Sequence, residues 1–250
     1  MPDKKISSSA VGRKFAVFDI DGTIFRSSLL IETVEALIAA GVFPDRARII
    51  YDGAHRKWLD RQGTYEKYIG AVIEAFDHYI AGVSEADFVP VIQRMIRLHR
   101  DRVYRYTRDL VRDLKRQGYF MLAISHSPKY VVEAFGRSAG FDKVYGRLLE
   151  LTQTGHFTGR TLFQDVIFDK KKVLERAVEK ERLSYAGSVG VGDTESDIGF
   201  LRLVERPICF NPNMALYRVA KRNNWTVVVE RKDVVYEMNT QKVSRSVKGK

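Results

Sequence analysis

The chain has 250 residues, 45% of them hydrophobic, which suffices for one large domain or a domain carrying a sizeable insertion. Its single cysteine, Cys209, excludes an internal disulfide framework, and its polar start, MPDKKISSSAVGRK, lacks the apolar stretch of a signal peptide; no run approaches the ~18 apolar residues of a membrane span. The formal charge of +11 gathers at the ends, with +3 on residues 1–14, +4 on 231–250 and only +4 on the 216 between, which reads as solvated ends rather than a nucleic-acid-binding face.

The expectation is therefore a soluble, cytoplasmic protein with flexible segments at 1–13 and 231–250. The first apolar run, 14–18, reads as a buried strand that ends in Phe18-Asp19-Ile20-Asp21-Gly22-Thr23. Carboxylates two residues apart at the open end of a buried strand need a cation or a proton to compensate them. Gly22 lets the chain turn sharply and brings backbone N–H groups close to whatever binds there. Alone, this turn fits a solvated β-turn or a calcium loop equally well. Residues 27–105 then read as consecutive helices at 29–40, 45–61, 65–80 and 85–102, with Ser84 as an N-cap. Such an all-helical block, straight after the first strand, is an inserted small domain. On its second helix Tyr51, His55, Arg56 and Trp58 form either a substrate grip or a solvated face with a core tryptophan.

Beyond residue 105 strands and helices alternate. A helix at 104–117 leads to a strand at 119–124 that ends at Ser125-His126-Ser127, followed by a helix at 129–136. Alternation across 148–163, around Thr154-Gly155, suggests a hairpin. A helix at 170–181 opens with Lys170-Lys171-Lys172, and a strand at 188–191 runs into Gly192-Asp193-Thr194-Glu195-Ser196-Asp197. A helix at 196–203, a strand at 207–210 before Asn211, a helix at 214–223 and a strand at 226–229 complete the series. The pattern predicts an α/β fold with a doubly wound, Rossmann-like parallel sheet built from 14–26 and 106–230, and ligands bound beyond the carboxyl ends of its strands.

The polar residues fall at those ends. Asp193 and Asp197, four apart, can complete an oxygen-rich octahedral Mg²⁺ site with Asp19. Ser125, at a strand end leading into a helix N-terminus, offers a phosphate cradle, and His126 beside it faces either substrate or solvent. A lysine opening a helix opposes the helix dipole unless it faces a bound phosphate and a carboxylate; one of Lys170, Lys171 and Lys172 would play that part, with surface charge the alternative. Asn211 is read as a turn residue. The arginines at 94, 97, 100, 105, 108, 112 and 116 read as a solvated stripe with Asp101, Asp109 and Asp113 as partners.

This set of motifs, in this order, resembles the haloacid dehalogenase superfamily: FDIDGT at 18–23, Ser125, a lysine within 170–172, and GDTESD at 192–197. The helical insertion is similar to the family's C1-type cap, and the spacing of KKKVLERA before the last motif resembles the phosphoserine phosphatase-like branch. The resemblance implies that Asp19 attacks phosphorus to form an aspartyl-phosphate. It implies that Asp21 protonates the leaving oxygen and then deprotonates water, and that Mg²⁺ is held by Asp19, the Asp21 carbonyl, Asp193 and Asp197. Ser125, Lys170, the best match in its run to the branch's pattern of a lysine leading an amphipathic helix, and backbone N–H groups of the Asp21–Thr23 turn, with Gly22 and Thr23, would hold the phosphoryl oxygens. Dehalogenases of the family lack the second aspartate, so Asp21 favours an oxygen leaving group and a small phosphorylated metabolite as substrate. Phosphotransfer to another acceptor is the second reading, and a binding protein using its basic ends the third. Phosphoserine phosphatases place a glutamate shortly after the first motif; here Phe25-Arg26-Ser27-Ser28-Leu29-Leu30 stands there and Glu32 follows later, which puts phosphoserine in doubt. The sequence leaves the oligomeric state open.

Overall fold

In the computed structural model, residues 12–239 are described. The first strand, β1 (Arg13–Phe18), is followed by α1 (Leu29–Ala39), α2 (Arg48–Leu59, after a 3-10 turn at Asp45–Ala47), α3 (Tyr65–Ile80), α4 (Glu85–His99) and α5 (Arg105–Arg116). Then come β2 (Phe120–Pro128), α6 (Lys129–Ala139), the hairpin β3 (Lys143–Leu151) and β4 (Phe157–Leu162), α7 (Gln164–Ile167) and α8 (Lys170–Lys180). The chain closes with β5 (Leu183–Gly192), a 3-10 turn (Glu195–Asp197) running into α9 (Ile198–Leu201), β6 (Arg206–Phe210), α10 (Met214–Asn223), β7 (Thr226–Arg231) and β8 (Val234–Asn239).

The strands form one sheet in the order β4-β3-β2-β1-β5-β6-β7-β8. The inner strands β3-β2-β1-β5-β6-β7 are parallel, and β4 and β8 add antiparallel strands at the two ends. Helical crossovers permit the parallel pairs, and tight hairpins make the antiparallel ones. β1 lies at the centre with both faces covered. Phe15 and Val17 enter the cluster under α8 and α10, whereas Ala16 and Phe18 enter the cluster formed with α1–α6, as the two-residue side-chain period of a strand requires. Because β2 lies on one side of β1 and β5 on the other, the strand order reverses there and opens a crevice at their carboxyl ends.

The helices of the insertion start where short polar side chains supply caps: Ser28 accepts from Leu30 N–H, Thr64 from Lys67 N–H, and Ser84 from Asp87 N–H. Their apolar faces (Leu37, Phe76 and Phe88 among them) join the same cluster as Phe18 and Phe135 of the sheet layer. The expected hairpin is present, and Gly155 takes the left-handed φ of +76° at its turn.

Several boundaries differ from expectation. β2 runs on to Pro128, and the first half of β3 pairs in parallel with it, from Leu122↔Lys143 to Ile124↔Tyr145. The predicted helix at 196–203 is a 3-10 turn plus the four-residue α9. The expected flexible segment 231–250 instead opens with a strand: Val234–Asn239 pairs with β7 from Thr226↔Asn239 to Arg231↔Val234. Its alternating Val-Tyr-Met positions suit a pleated ladder, a signal masked by the surrounding charge. Residues 240–250 and 1–11 lie outside the described residues, and Arg13 already belongs to β1. No helix among the described residues is long and apolar enough to cross a membrane.

Candidate active site

β1 releases the chain at Asp19, whose N–H donates to the Val191 carbonyl at 2.9 Å and ties the end of β1 to β5. The chain then turns tightly: the N–H groups of Thr23, Ile24 and Phe25 converge on the Ile20 carbonyl at 3.3, 2.9 and 2.9 Å. Gly22 sits at φ +81°, and a Cβ there would collide with Asp193 Oδ2. The N–H groups of Gly22 and Thr23, expected to hold a phosphate, are engaged inside this turn. Gly22 donates to the carbonyls of Phe25 and Ser27 at 3.0 and 3.1 Å, and Thr23 to Ile20. Both residues shape Asp193 instead: Gly22 leaves it room, and Thr23 Oγ1 donates to Asp193 Oδ1 at 3.3 Å.

Asp21 is held from two further elements. Ser125 and Ser127 of β2 donate to its Oδ2 at 2.6 and 3.1 Å, and Leu29 N–H, in the first turn of α1, donates to its Oδ1 at 2.5 Å. Ser125 and Ser127 point the same way because they are two apart on a strand. That spacing was visible in the sequence, yet only Ser125 was singled out. Ser125 is not at a helix N-terminus: β2 continues past it, and α6 begins four residues later at Lys129. His126, between the two serines, lies half-buried edge-on to Phe168, with ring centroids 5.7 Å apart. Its Nε2 has no partner among the described residues, and burial, reinforced by the charge of Lys170, pushes it down to about 4.

Lys170 is 4% exposed and its Nζ donates to Asp19 Oδ1 and Asp197 Oδ1, each at 2.6 Å. Its neighbours turn elsewhere: Lys171 pairs with Glu175 at 3.7 Å and Lys172 reaches the Asp165 carbonyl at 3.1 Å. Asp169 caps the helix by accepting from the N–H groups of Lys171 and Lys172, so a carboxylate at the N-terminus offsets the unfavourable placement of the lysines. Asp197, fully buried, uses Oδ2 to accept from the N–H groups of Asp193 and Thr194 at 2.9 and 3.0 Å.

One ammonium thus serves several buried carboxylates. Burial, with Asp197 and Asp21 adding to it against Lys170, pushes Asp19 up to about 7, and burial with Asp19 and Asp197 holds Asp193 well above the usual carboxylate range. Burial would lower Lys170, but Asp19 and Asp197 outweigh it and hold it above its ordinary value. All three shifts are upward and have one origin: the cation is over-compensated and each anion under-compensated. The arrangement suits an additional cation. Oxygens of Asp19, Asp193 and Asp197 lie within 4.8 Å of one another, and the buried Asp19 Oδ2 has no partner among the described residues. An all-oxygen donor set of this kind fits a hard divalent ion such as Mg²⁺.

The insertion contributes Tyr65, which the sequence reading did not single out. Its ring packs edge-on to Trp58 at 5.6 Å, and burial followed by the nearby charges of Asp21, Asp193 and Asp19 raises its phenol. The α2 residues expected as a substrate grip or a solvated face do neither as a group. Tyr51 is buried and donates to Glu35 at 2.5 Å, His55 stacks on Tyr68 at 4.5 Å, Trp58 stacks on Tyr68 at 5.6 Å, and Arg56 is exposed. Asn211 ties β6 to β7 by accepting from Glu230 N–H at 2.9 Å. The arginine stripe finds its expected partners in part, with Arg108 on Asp109 at 2.8 Å and Arg116 on Asp113. A groove of about 830 Å³ between α6, β3 and α8 is lined by none of Asp19, Asp21, Asp193 and Asp197.

The profile of the haloacid dehalogenase-like hydrolases matches residues 16–202, a span that includes every carboxylate of this cluster. Among curated proteins, the inhibition of morphological differentiation protein of Streptomyces azureus is 23% identical over 90% of this chain and 81% of its own length. The phosphoserine phosphatase of Archaeoglobus fulgidus is 25% identical over 83% of this chain, a match spanning 55% of that longer protein. Among solved structures, a protein of unknown function from Bordetella pertussis Tohama I superimposes with a TM-score of 0.69 at 21% identity, over 87% of this chain and 98% of its own.

Proposed function

Since the chain belongs to the haloacid dehalogenase-like hydrolases, we propose that it is a phosphatase that hydrolyses a small phosphomonoester through a phosphorylated Asp19. The observation that carries this reading is the division of labour between two carboxylates. Asp19 is 3% exposed with one oxygen on Lys170 and the other unpartnered, whereas Asp21 is gripped by two serine hydroxyls and a helix amide. An unpartnered carboxylate oxygen at the open end of β1 is suited to nucleophilic attack. A carboxyl held by donors from β2 and α1 is suited to passing a proton.

In this mechanism an Asp19 oxygen forms a bond to phosphorus as the bond to the leaving oxygen breaks. Asp21 delivers a proton to that oxygen, then takes one from the water that cleaves the aspartyl-phosphate. Lys170 neutralises Asp19 and the incoming phosphoryl group, and Ser125 turns its hydroxyl from Asp21 to a phosphoryl oxygen. Mg²⁺, held by Asp19 and Asp193 with the Asp21 carbonyl and with Asp197 behind them, would supply charge neutralisation at the phosphoryl oxygens. Gly22 and Thr23 act by placing Asp193. Residues 27–105 act as a cap that excludes water, with Tyr65 as its contact to the site. Glu32 pairs with Arg102 at 2.6 Å and His99 at 3.6 Å, which leaves it poorly placed to receive the amino group of phosphoserine and supports a different leaving group.

The test is hydrolysis of p-nitrophenyl phosphate with Mg²⁺ and with EDTA, followed by phosphate release from a panel of phosphorylated metabolites that includes phosphoserine. Absence of metal-dependent turnover, or undiminished turnover in Asp19→Asn, refutes the assignment; phosphoserine as the best substrate refutes the reading of Glu32.

A further inference from the structure

The two edges of the sheet are treated differently. The outer edge of β4 is covered by the chain itself: Gly82 N–H donates to the Phe157 carbonyl at 2.8 Å, Phe157 N–H donates to the Val83 carbonyl at 2.9 Å, and Ser84 bridges to His156. The outer edge of β8 has no such cover among the described residues. It also carries an apolar stripe, with Val234, Tyr236 and Met238 exposed by 44, 55 and 40%. Three of the nine large apolar side chains exposed among the described residues therefore fall on one six-residue strand. Their cross-strand neighbours on β7 are Arg231, Val229 and Val227; Val227 belongs to the core of the α8/α10 face and the half-buried Val229 packs against it, so the stripe extends that apolar face past the last strand. Edge strands normally carry charged side chains, proline or a bulge that hinders pairing; Val234–Asn239 carries a single charge, Glu237, no proline, and pairs with β7 in unbroken register.

We propose that β8 is a homodimer interface, in which a second copy of this chain pairs antiparallel across a two-fold axis at Tyr236 and continues the sheet. The extent of β8 and its charges together set the register. A two-fold axis normal to the sheet keeps each side chain on its own face, so residues of like parity must oppose one another. A centre at Glu237 would set two glutamates face to face, and a centre at Val235 would set Glu237 against Asp233; like charges directly opposite are destabilising. With the centre at Tyr236, Val234 opposes Met238 of the second copy, the two Tyr236 rings meet, and Glu237 opposes Val235. The chain's own last residues are a poorer match: TQKVSRSVKGK at 240–250 has two valines with Arg245 midway between them and four cations in all. A second copy brings an identical three-residue stripe. Pairing through one short strand buries little area, so the dimer belongs to the class of weak, concentration-dependent associations.

Sedimentation velocity on the full chain tests this. The expected result is a dimer at about 200 µM that dissociates toward about 5 µM, with Tyr236→Lys raising the dissociation constant at least about tenfold by opposing two ammonium groups. Cysteine cross-linking reads the register, because the native Cys209 is buried. Directly opposed residues lie ~4.5–5.5 Å apart between Cα atoms, within disulfide reach, and diagonal ones ~7–8 Å. Tyr236→Cys should thus cross-link faster than Glu237→Cys. A wild-type monomer at the higher concentration overturns the proposal, as does equal or faster cross-linking at position 237, or a dimer undisturbed by Tyr236→Lys. A monomer that dimerises only after removal of residues 240–250 also overturns it, by identifying the chain's own end as the occupant.

Discussion

Asp19→Asn removes one of the buried carboxylates that share the ammonium of Lys170. In the unfolded chain Asp19 titrates near 3.8, and in the fold, with no metal bound, near 7. A carboxyl raised in this way strengthens the fold below its unfolded value, where both states are protonated or the native state holds the extra proton. That contribution is lost as pH rises through the window from about 4 to about 7. The span corresponds to on the order of 4 kcal/mol of strain at alkaline pH. Asparagine abolishes that term but buries an amide, whose imperfect satisfaction costs about 1–3 kcal/mol. The variant should therefore be the more stable protein in EDTA at pH 8, by about 1–3 kcal/mol, and the advantage should shrink or reverse at pH 5. Urea denaturation of both proteins across pH reads this effect, because titrating groups remote from Asp19 cancel in the difference and what remains is Asp19 with the Asp193 and Lys170 groups that it shifts. Mg²⁺ should invert the order, since a cation at 100 times its dissociation constant stabilises the wild type by about 2.7 kcal/mol. A wild type more stable than the variant in EDTA at pH 8, or a difference that ignores pH, refutes the argument that the carboxylate cluster is under electrostatic stress.

Lys170→Met leaves Asp19 and Asp197 buried without their shared partner and should cost about 3–5 kcal/mol in urea denaturation, with loss of phosphatase turnover. Gly192→Ala places a Cβ 2.5 Å from Asp197 Cβ and 2.6 Å from its Oδ2, which should destabilise the fold by about 1–3 kcal/mol and weaken Mg²⁺ binding measured calorimetrically. Gly53→Ala, in α2 with nothing within 4 Å of the added carbon, should instead raise stability by about 0.5–1 kcal/mol in thermal unfolding. His126, near 6.5 when unfolded and about 4 when folded, contributes stability that is complete above pH 6.5 and lost as pH falls toward 4, about 3 kcal/mol across the window. The gap between wild type and His126→Gln should narrow over that range in acid titrations of the unfolding midpoint.

The carboxylates were legible because burial makes them expensive. Asp19 and Asp193 each stand at the end of an apolar run read as an inner strand, with Asp197 four residues beyond Asp193, and a charge at such a place has few explanations other than a counter-ion. Lys170 was legible for the reciprocal reason, a cation at the wrong end of a helix. What escaped depends on approach rather than pattern. Tyr65, the first residue of α3, lies within electrostatic reach of Asp21, Asp193 and Asp19, and no local periodicity encodes that meeting. Ser127 needed β2 to continue beyond Ile124, whereas Ser-His-Ser-Pro resembles the end of a strand. The N–H groups of Gly22 and Thr23 were engaged by a turn whose hydrogen bonds depend on where Ser27 returns. β8 was hidden because Arg231, Lys232 and Asp233 dominate the composition just before it, although Lys232, with φ +56°, is part of the turn that makes the hairpin.

The hydrogen bond from Leu29 N–H to Asp21 means that the helical insertion begins inside the carboxylate cluster rather than beside it. An attempt to transplant this helical block onto a relative, or to receive another's, would have to place its junction after the first turn of α1. A splice made before Leu29 would exchange the backbone that orients the Asp21 carboxyl together with the scaffold, so altered turnover in such a hybrid would report on the seam as much as on the borrowed helices.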